Sequence, residues 1–255
     1  CWRDRLSWVA LAFVPSALLI AVTSHISTDI AAAPFLWVVP LALFLATFIL
    51  TFRAGGERLG AWMLRLQPLV VAGLAVGLMR GERAFWLVAI LLDLAMLFTA
   101  AMVCHRALYL KRPHTGELTS FYMWVSFGGV LGGVASGLLA PRLFPDVWEY
   151  PILIVLALAA RPGVFDPGLR EWLKGAGLPV ALALAAAIAG PMLGLRLPAS
   201  TDIAFSVALV MLAAMVMLSA ANGARMIGLT VLLLVASAAL PVGVTATETA
   251  RSFFG

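Results

Sequence analysis

Long apolar stretches alternate along the chain with short polar connections that carry most of its charges. Most of the stretches are close to the length of about 20 residues that crosses a bilayer as a helix. Because lipid cannot hydrogen-bond an exposed backbone, such stretches are expected to be helical. We predict an all-α polytopic transmembrane bundle of about nine helices, formed by Leu6–Val22, Ile30–Phe52, Ala61–Met79, Ala84–Cys104, Phe121–Ala140, Val147–Ala160, Ala176–Gly194, Ile203–Ala221 and Met226–Val244.

The composition agrees with this fold class. Apolar residues make up 63% of the 255 residues and charged residues 11%, against roughly 45–50% and 25% in a soluble domain. These values exclude a soluble enzyme, a disordered chain and a disulfide-rich scaffold. Cys1 and Cys104 are far apart and show no ligand spacing, so we expect no metal and no cofactor in these residues.

The cationic residues predict a membrane orientation. The 17 Lys and Arg are scattered through the connections, so we expect no nucleic-acid surface despite the net charge of +5. With nine crossings and a cytoplasmic N-terminus, twelve of these 17 residues face the cytoplasm, as the positive-inside rule requires. If the short sixth stretch, Val147–Ala160, is not a crossing, the Lys and Arg residues divide ten against seven between the two sides of the membrane, which is a weaker asymmetry. The expected partner is therefore the lipid bilayer.

The fifth stretch carries a glycine pattern that is typical of close helix packing. Two adjacent rows of glycine residues run along one helix face. The first row is Gly129, Gly133 and Gly137, and the second is Gly128 and Gly132. Small residues at this spacing let another helix approach closely. A nucleotide-binding loop is the alternative, but such loops follow a strand, and this segment lies within an apolar stretch. We expect Gly133 to contact another helix at backbone distance.

Asp93 is the ionisable residue nearest the middle of an apolar stretch. Arg65 and Glu149 lie near the ends of theirs, where their charged groups can reach the interface. A carboxylate near the membrane midplane costs about 2.5–3.5 kcal/mol on insertion scales. We expect Asp93 to face the protein interior, and to be mostly protonated at pH 7 unless a cation or a water-filled cavity reaches it, because no Lys or Arg lies at its depth. It is a candidate for a proton or cation pathway, or a neutral carboxyl bonded to a neighbouring helix.

His25 and Asp29 form a second candidate site between the first two helices. Their spacing of four residues could hold a cation or relay a proton on one helix face. Alternatively, Asp29 or Thr28 caps the second helix and His25 lies at the outer interface. His105 lies in the basic connection after the fourth stretch, where we expect it to face water. The connection Asp166–Lys174 has two readings, a short interfacial helix or a polar loop.

Five sequence motifs occur along the chain, namely Trp8–Ser16, Thr23–Ala32, Leu36–Leu41, Leu118–Gly133 and Glu149–Pro151. In this order they resemble bacterial proteins described as fused major-facilitator and spermidine-synthase proteins. The resemblance implies the C-terminal part of that family's membrane region, in the bacterial inner membrane. It implies a major-facilitator-like six-helix half over 1–160, a connecting loop or interfacial helix over 161–174, three further helices over 175–246 and the start of a linker over 247–255.

The same resemblance implies transporter-like handling of a small cationic or amphipathic substrate, such as a polyamine, for an attached aminopropyltransferase-like domain beyond Gly255. The implied partners are the N-terminal membrane half and the C-terminal soluble domain of the same polypeptide, or other membrane subunits. Ser120 stands where the family has an acidic residue, and Asp93 where it has an imidazole, so roles tied to those side chains do not carry over. The alternative function is a structural or accessory subunit that packs in a larger membrane complex.

Overall fold

The fold was analysed in a computed structural model of the chain. It describes residues 2–27, 35, 37–53, 56–80, 86–144, 148–165, 168–193, 202–219 and 221–239. Within these ranges every regular element is helical. The helices are α1 (Trp2–His25), α2 (Val38–Phe52), α3 (Gly56–Arg80), α4 (Trp86–Leu110), α5 (Leu118–Val134), α6 (Ala140–Leu143), α7 (Glu149–Ala159), α8 (Leu169–Leu193), α9 (Asp202–Leu218) and α10 (Gly223–Ala239).

Each of the nine predicted stretches coincides with a helix, and α5 and α6 share the fifth stretch through a π-helical turn at Ala135–Leu139. Pro141 has no amide hydrogen to donate to the preceding turn, which explains why the α-helical pattern is interrupted there. The all-helical prediction is therefore confirmed for the described residues.

Several helix ends differ from the prediction. The second helix begins at Val38 rather than Ile30, because Phe35 and Trp37 lie in turns. Helix α4 continues to Leu110, so His105 lies inside a helix rather than in a connection. Helix α8 begins at Leu169, and the predicted loop or separate interfacial helix up to residue 174 is instead the first part of this long helix.

Four helices are long and apolar enough to cross a membrane, judged by length and composition. They are Trp2–His25, Leu87–Leu110, Thr115–Leu143 and Arg170–Ile188. A helix of 24 residues, such as the first of them, spans about 36 Å, which exceeds the hydrocarbon thickness of a typical bilayer. These helices indicate a membrane protein.

The chain divides into two compact units. The first contains α1, α2, α3 as far as Gln67, and α4 to α7, while the second contains α3 from Pro68 onward and α8 to α10. The division after Arg161 lies beside the expected boundary at residue 160, whereas the second part of α3 groups with the later helices.

Helices α1 and α5 pack closely in the first unit through two of the five glycines. A Cβ atom on Gly128 would overlap the Val9 carbonyl oxygen and lie 2.9 Å from the Val9 Cα. A Cβ on Gly132 would overlap the Phe13 carbonyl oxygen. The backbones of the two helices therefore meet at these positions, where only glycine leaves enough room.

The other glycine row faces side chains rather than backbone. A Cβ on Gly133 would lie 3.8 Å from Cδ1 of Ile20, and one on Gly137 3.9 Å from the same side chain. A Cβ on Gly129 would lie 3.3 Å from the Ser16 hydroxyl oxygen. The expectation of a backbone contact at Gly133 was wrong, because Ile20 separates this row from the α1 backbone.

A partly buried cation, Arg161, supports α3 within the first unit. Nη1 of Arg161 donates to the Leu64 carbonyl oxygen at 2.9 Å and to Oε1 of Gln67 at 3.0 Å. Pro68, four residues after Leu64, has no amide hydrogen for that carbonyl, so Arg161 supplies the missing donor. Burial lowers the pKa of the Arg161 guanidinium, yet arginine stays protonated in proteins.

The second unit packs α8 against α10. A Cβ on Gly228 would lie 2.9 Å from the Cα of Ala176, so glycine again permits the close approach of two helices. Thr230 is the buried polar side chain of this unit's described residues, and its hydroxyl donates to the carbonyl oxygen of Met226 in its own helix at 2.8 Å.

Candidate functional site, a buried His–Asp–Tyr cluster

Three ionisable side chains from three helices of the first unit meet around Asp93. The Tyr150 hydroxyl donates to Oδ1 of Asp93 at 2.6 Å. Nδ1 of His25 lies 3.0 Å from Oδ2 of the same carboxyl. Asp93 is fully buried, as the sequence led us to expect of its position. We call His25, Asp93 and Tyr150 the His–Asp–Tyr cluster.

The cluster forms where the end of α1 and the start of α7 meet the side of α4. His25 is the last residue of α1, and Tyr150 lies in the first turn of α7. Helices α1, α4 and α7 all pack against one another. Asp93 lies about two turns, or roughly 10 Å, from the start of α4, so it is nearer to a helix end than the predicted position in the middle of its stretch.

Neither partner of Asp93 is a Lys or Arg, but one of the two is an ionisable histidine. His25 can carry a positive charge, and each carboxyl oxygen of Asp93 has a protein partner. The His25–Asp93 contact needs one proton, which can be on Nδ1 of an imidazole facing a carboxylate or on Oδ2 of a neutral carboxyl. Hydrogen bonds of this kind offset the cost of burying the carboxyl.

Access to the cluster differs between its members. The side chain of His25 is 15% exposed, while that of Asp93 is 1% exposed. The imidazole therefore reaches the surface of the unit, whereas the carboxyl does not. The rings of His25 and Tyr150 also lie close together, with centroids 5.3 Å apart.

The polar residues beside the cluster either donate hydrogen bonds to carbonyl oxygens of their own helix or are buried in the unit. The Thr23 hydroxyl donates to the Leu19 carbonyl oxygen, and the Ser27 hydroxyl to that of Thr23. Glu149, next to Tyr150, is only 5% exposed. Glu149 is the first residue of α7, at a helix end, and it packs inside the first unit rather than being exposed.

A second buried histidine lies on α4. Nδ1 of His105 is 2.9 Å from the Thr47 hydroxyl oxygen, and that hydroxyl donates its hydrogen to the Phe44 carbonyl oxygen. Thr47 must therefore accept from His105, which places the proton on Nδ1. Nε2 has no hydrogen-bond partner among the described residues. The Phe48 ring stacks on the imidazole with centroids 3.7 Å apart.

The burial of His105 overturns the expectation that it faces water. The sequence contains a signal for the burial of His105, because further apolar residues, including Ala107 and Leu108, occur between it and the end of α4. The partnership of Tyr150 with Asp93 has no comparable local signal. Asp29, the expected partner of His25, lies outside the described residues.

Fold and site together define the class of protein, an α-helical protein with helices of membrane-spanning length and a buried ionisable cluster. The described residues contain no group of three or more His, Cys, Asp or Glu that could hold a metal ion. No protein-family model, curated protein or solved structure matches the chain.

Proposed function

We propose that the chain is the membrane domain of a spermidine-synthase-like fusion protein and that the His–Asp–Tyr cluster couples proton movement to the handling of a small cationic or amphipathic substrate. One observation carries the proposal: a fully buried carboxyl, Asp93, is bonded to an imidazole that reaches the exterior. Buried ionisable residues in membrane helices mark proton relays and substrate pathways. The attached aminopropyltransferase-like domain is inferred from the resemblance of the sequence motifs.

The geometry favours a proton over an amine as the species that Asp93 binds directly. Each oxygen of Asp93 has a protein partner and the residue is fully buried, so an amine would have to move His25 or Tyr150 to reach the carboxyl. The imidazole can gain or lose a proton at Nε2 while its Nδ1 stays bonded to Oδ2 of Asp93, so neither side chain is displaced. Loss or gain of this proton changes the charge of the pair, which alters how strongly α1 and α4 are held together.

The proposal includes the finer architecture expected from the sequence. Nine helices would cross the inner membrane of a bacterium, with a cytoplasmic N-terminus and a major-facilitator-like arrangement of the first six. Proton-coupled transporters place such ionisable groups near the interface between helices that change their packing. The cluster lies where α1, α4 and α7 meet, which fits this arrangement.

A structural or accessory role is the second candidate, and the second unit favours it. The buried side chains of that unit's described residues are apolar apart from Thr230, whose hydroxyl is bonded to its own helix. Among these described side chains, the interior is built for packing rather than for a polar path. In this alternative the chain is an anchor in a larger membrane complex.

Transport by the native polypeptide in liposomes tests the proposal. The liposomes contain a pH-sensitive dye, and radiolabelled spermidine is the probe. We expect a pH gradient to drive spermidine uptake with a matching change of internal pH. Asp93→Asn preserves the size of the side chain but removes its ionisable carboxyl, and it should lower both signals at least ten-fold while the protein still folds.

Asp4→Asn, on the exposed first turn of α1, is the matched control and should transport normally. Undiminished, pH-driven uptake by the Asp93→Asn protein would show that the cluster is not the coupling site. If the unaltered protein moves neither protons nor spermidine, the anchor role replaces the proposal.

A further inference from the structure

A groove of about 300 Å³ opens between α2, α4 and α5 in the first unit. Its walls are mostly aromatic and aliphatic, and they include Phe48, Ile49, Phe52, Leu108, Phe121 and Val125. The Ile49 and Tyr122 side chains at its edge are 70% and 53% exposed. An apolar groove that opens at the surface of the unit has the shape and chemistry to receive a hydrocarbon chain.

Cationic side chains lie beside one end of this groove. The Phe52 ring, in the wall, contacts the Tyr109 ring with centroids 5.4 Å apart. The Arg112 guanidinium lies 4.1 Å from the centroid of Tyr109, and that of Arg106 lies 5.2 Å from it. Lys111 is exposed next to Arg112. Two guanidinium groups therefore share an aromatic ring that borders the apolar groove.

The charged end is held in place by the fold. The Trp8 indole of α1 donates to the Lys111 carbonyl oxygen at 3.1 Å, which fixes the chain after α4. Stacking on Tyr109 orients the Arg112 guanidinium while its N–H groups remain at the surface. Among the described residues Arg112 has no ion-pair partner, and Glu117, the acidic residue of the same connection, is exposed.

We propose that this groove and its cationic end bind an anionic phospholipid. One acyl chain would occupy the groove, and the phosphate would lie against Arg112 and Lys111. A planar guanidinium suits the bidentate binding of a phosphate. Basic residues beside apolar surfaces of membrane helices recognise anionic headgroups. A neutral lipid would use only the groove, and a free phosphate only the cations, whereas an anionic lipid uses both.

Lipid titration of the native polypeptide in detergent, followed by native mass spectrometry, tests this site. Phosphatidylglycerol and phosphatidylcholine with identical acyl chains are the probes. We expect the first adduct to form at lower concentration with phosphatidylglycerol. Arg112→Gln should weaken that adduct about five-fold, the effect expected for one cation near an anionic lipid. Val125→Trp, which fills the groove, should weaken binding of the same lipid as well.

Matched controls separate this site from general lipid binding. Arg170→Gln removes an exposed cation on α8 in the second unit, and Val130→Trp enlarges an exposed side chain on α5. Both should leave phosphatidylglycerol binding unchanged, as should Asp93→Asn. Equal retention of the two lipids, or equal effects of Arg112→Gln and Arg170→Gln, would overturn the proposal. Thermal stabilisation by inorganic phosphate as large as that by phosphatidylglycerol would overturn it too.

Discussion

Helices of similar apolar composition enclose different interiors in the two units of the chain. The first unit buries polar side chains from most of its helices, namely Thr47, Thr51, Gln67, Asp93, Thr99, His105, Ser136 and Glu149. Among the described residues of the second unit, the buried polar side chain is Thr230. A buried polar group costs stability unless it is hydrogen-bonded, so the first unit depends on partners that the second does not need.

The way in which these groups are satisfied also differs. Thr99 and Thr230 bond to carbonyl oxygens of their own helices, an arrangement that any helix provides. Asp93 and His105 instead depend on side chains that lie 57 to 68 residues away in the sequence. The helices of the first unit are therefore joined by specific polar contacts as well as by apolar packing.

The largest effect should come from a feature that occurs within each unit, the close approach of two helices at a glycine. Gly132→Ala places a methyl group against the Phe13 carbonyl oxygen, and we expect it to lower the free energy of unfolding by about 3 kcal/mol. The measurement is denaturant unfolding in detergent. Gly228→Ala tests the equivalent contact of the second unit and should also destabilise.

Gly133→Ala is the control for this series, because its new Cβ has ordinary contact with Ile20. Since alanine favours a helix over glycine by up to about 1 kcal/mol, this variant should be neutral or slightly more stable. Equal destabilisation by Gly132→Ala and Gly133→Ala would contradict the assignment of the close α1–α5 contact to the Gly128 and Gly132 row.

A smaller effect is expected at Arg161, which supports α3 in the first unit. Arg161→Met keeps the length of the side chain but removes the donor to the Leu64 carbonyl oxygen and to Gln67. Hydrogen bonds to charged groups contribute about 2 kcal/mol, so we expect a loss of that size in thermal or denaturant unfolding. Arg170→Met, at an exposed position, should change stability little; a loss as large as that of Arg161→Met would argue against a specific role.

The smallest effect compares one buried threonine from each unit. Thr47→Val leaves His105 without its hydrogen-bond acceptor and should lower the free energy of unfolding by about 1 kcal/mol. Thr230→Val removes a bond to its own helix and should cost less than about 0.5 kcal/mol, because the carbonyl keeps its helical donor. If both variants lose the same stability, the distinction between tertiary and local hydrogen bonding fails.

The sequence by itself determined the helices, because hydrophobicity and chain length are local properties. All nine apolar stretches coincide with helices, and the glycine-rich face of α5 was recognisable from its spacing. The burial of Asp93 also followed from energetics, since a carboxyl is costly against hydrocarbon. These conclusions required no knowledge of which helices are neighbours.

Only the tertiary structure decided which faces meet. In a soluble helix the apolar stripe identifies the buried side, but a helix in lipid is apolar all round, so its sequence does not reveal which face packs inward. The choice of Gly128 and Gly132 over Gly133 depends on the position of α1. The meeting of His25, Asp93 and Tyr150 likewise depends on the packing of three helices, which joins residues that no local pattern connects.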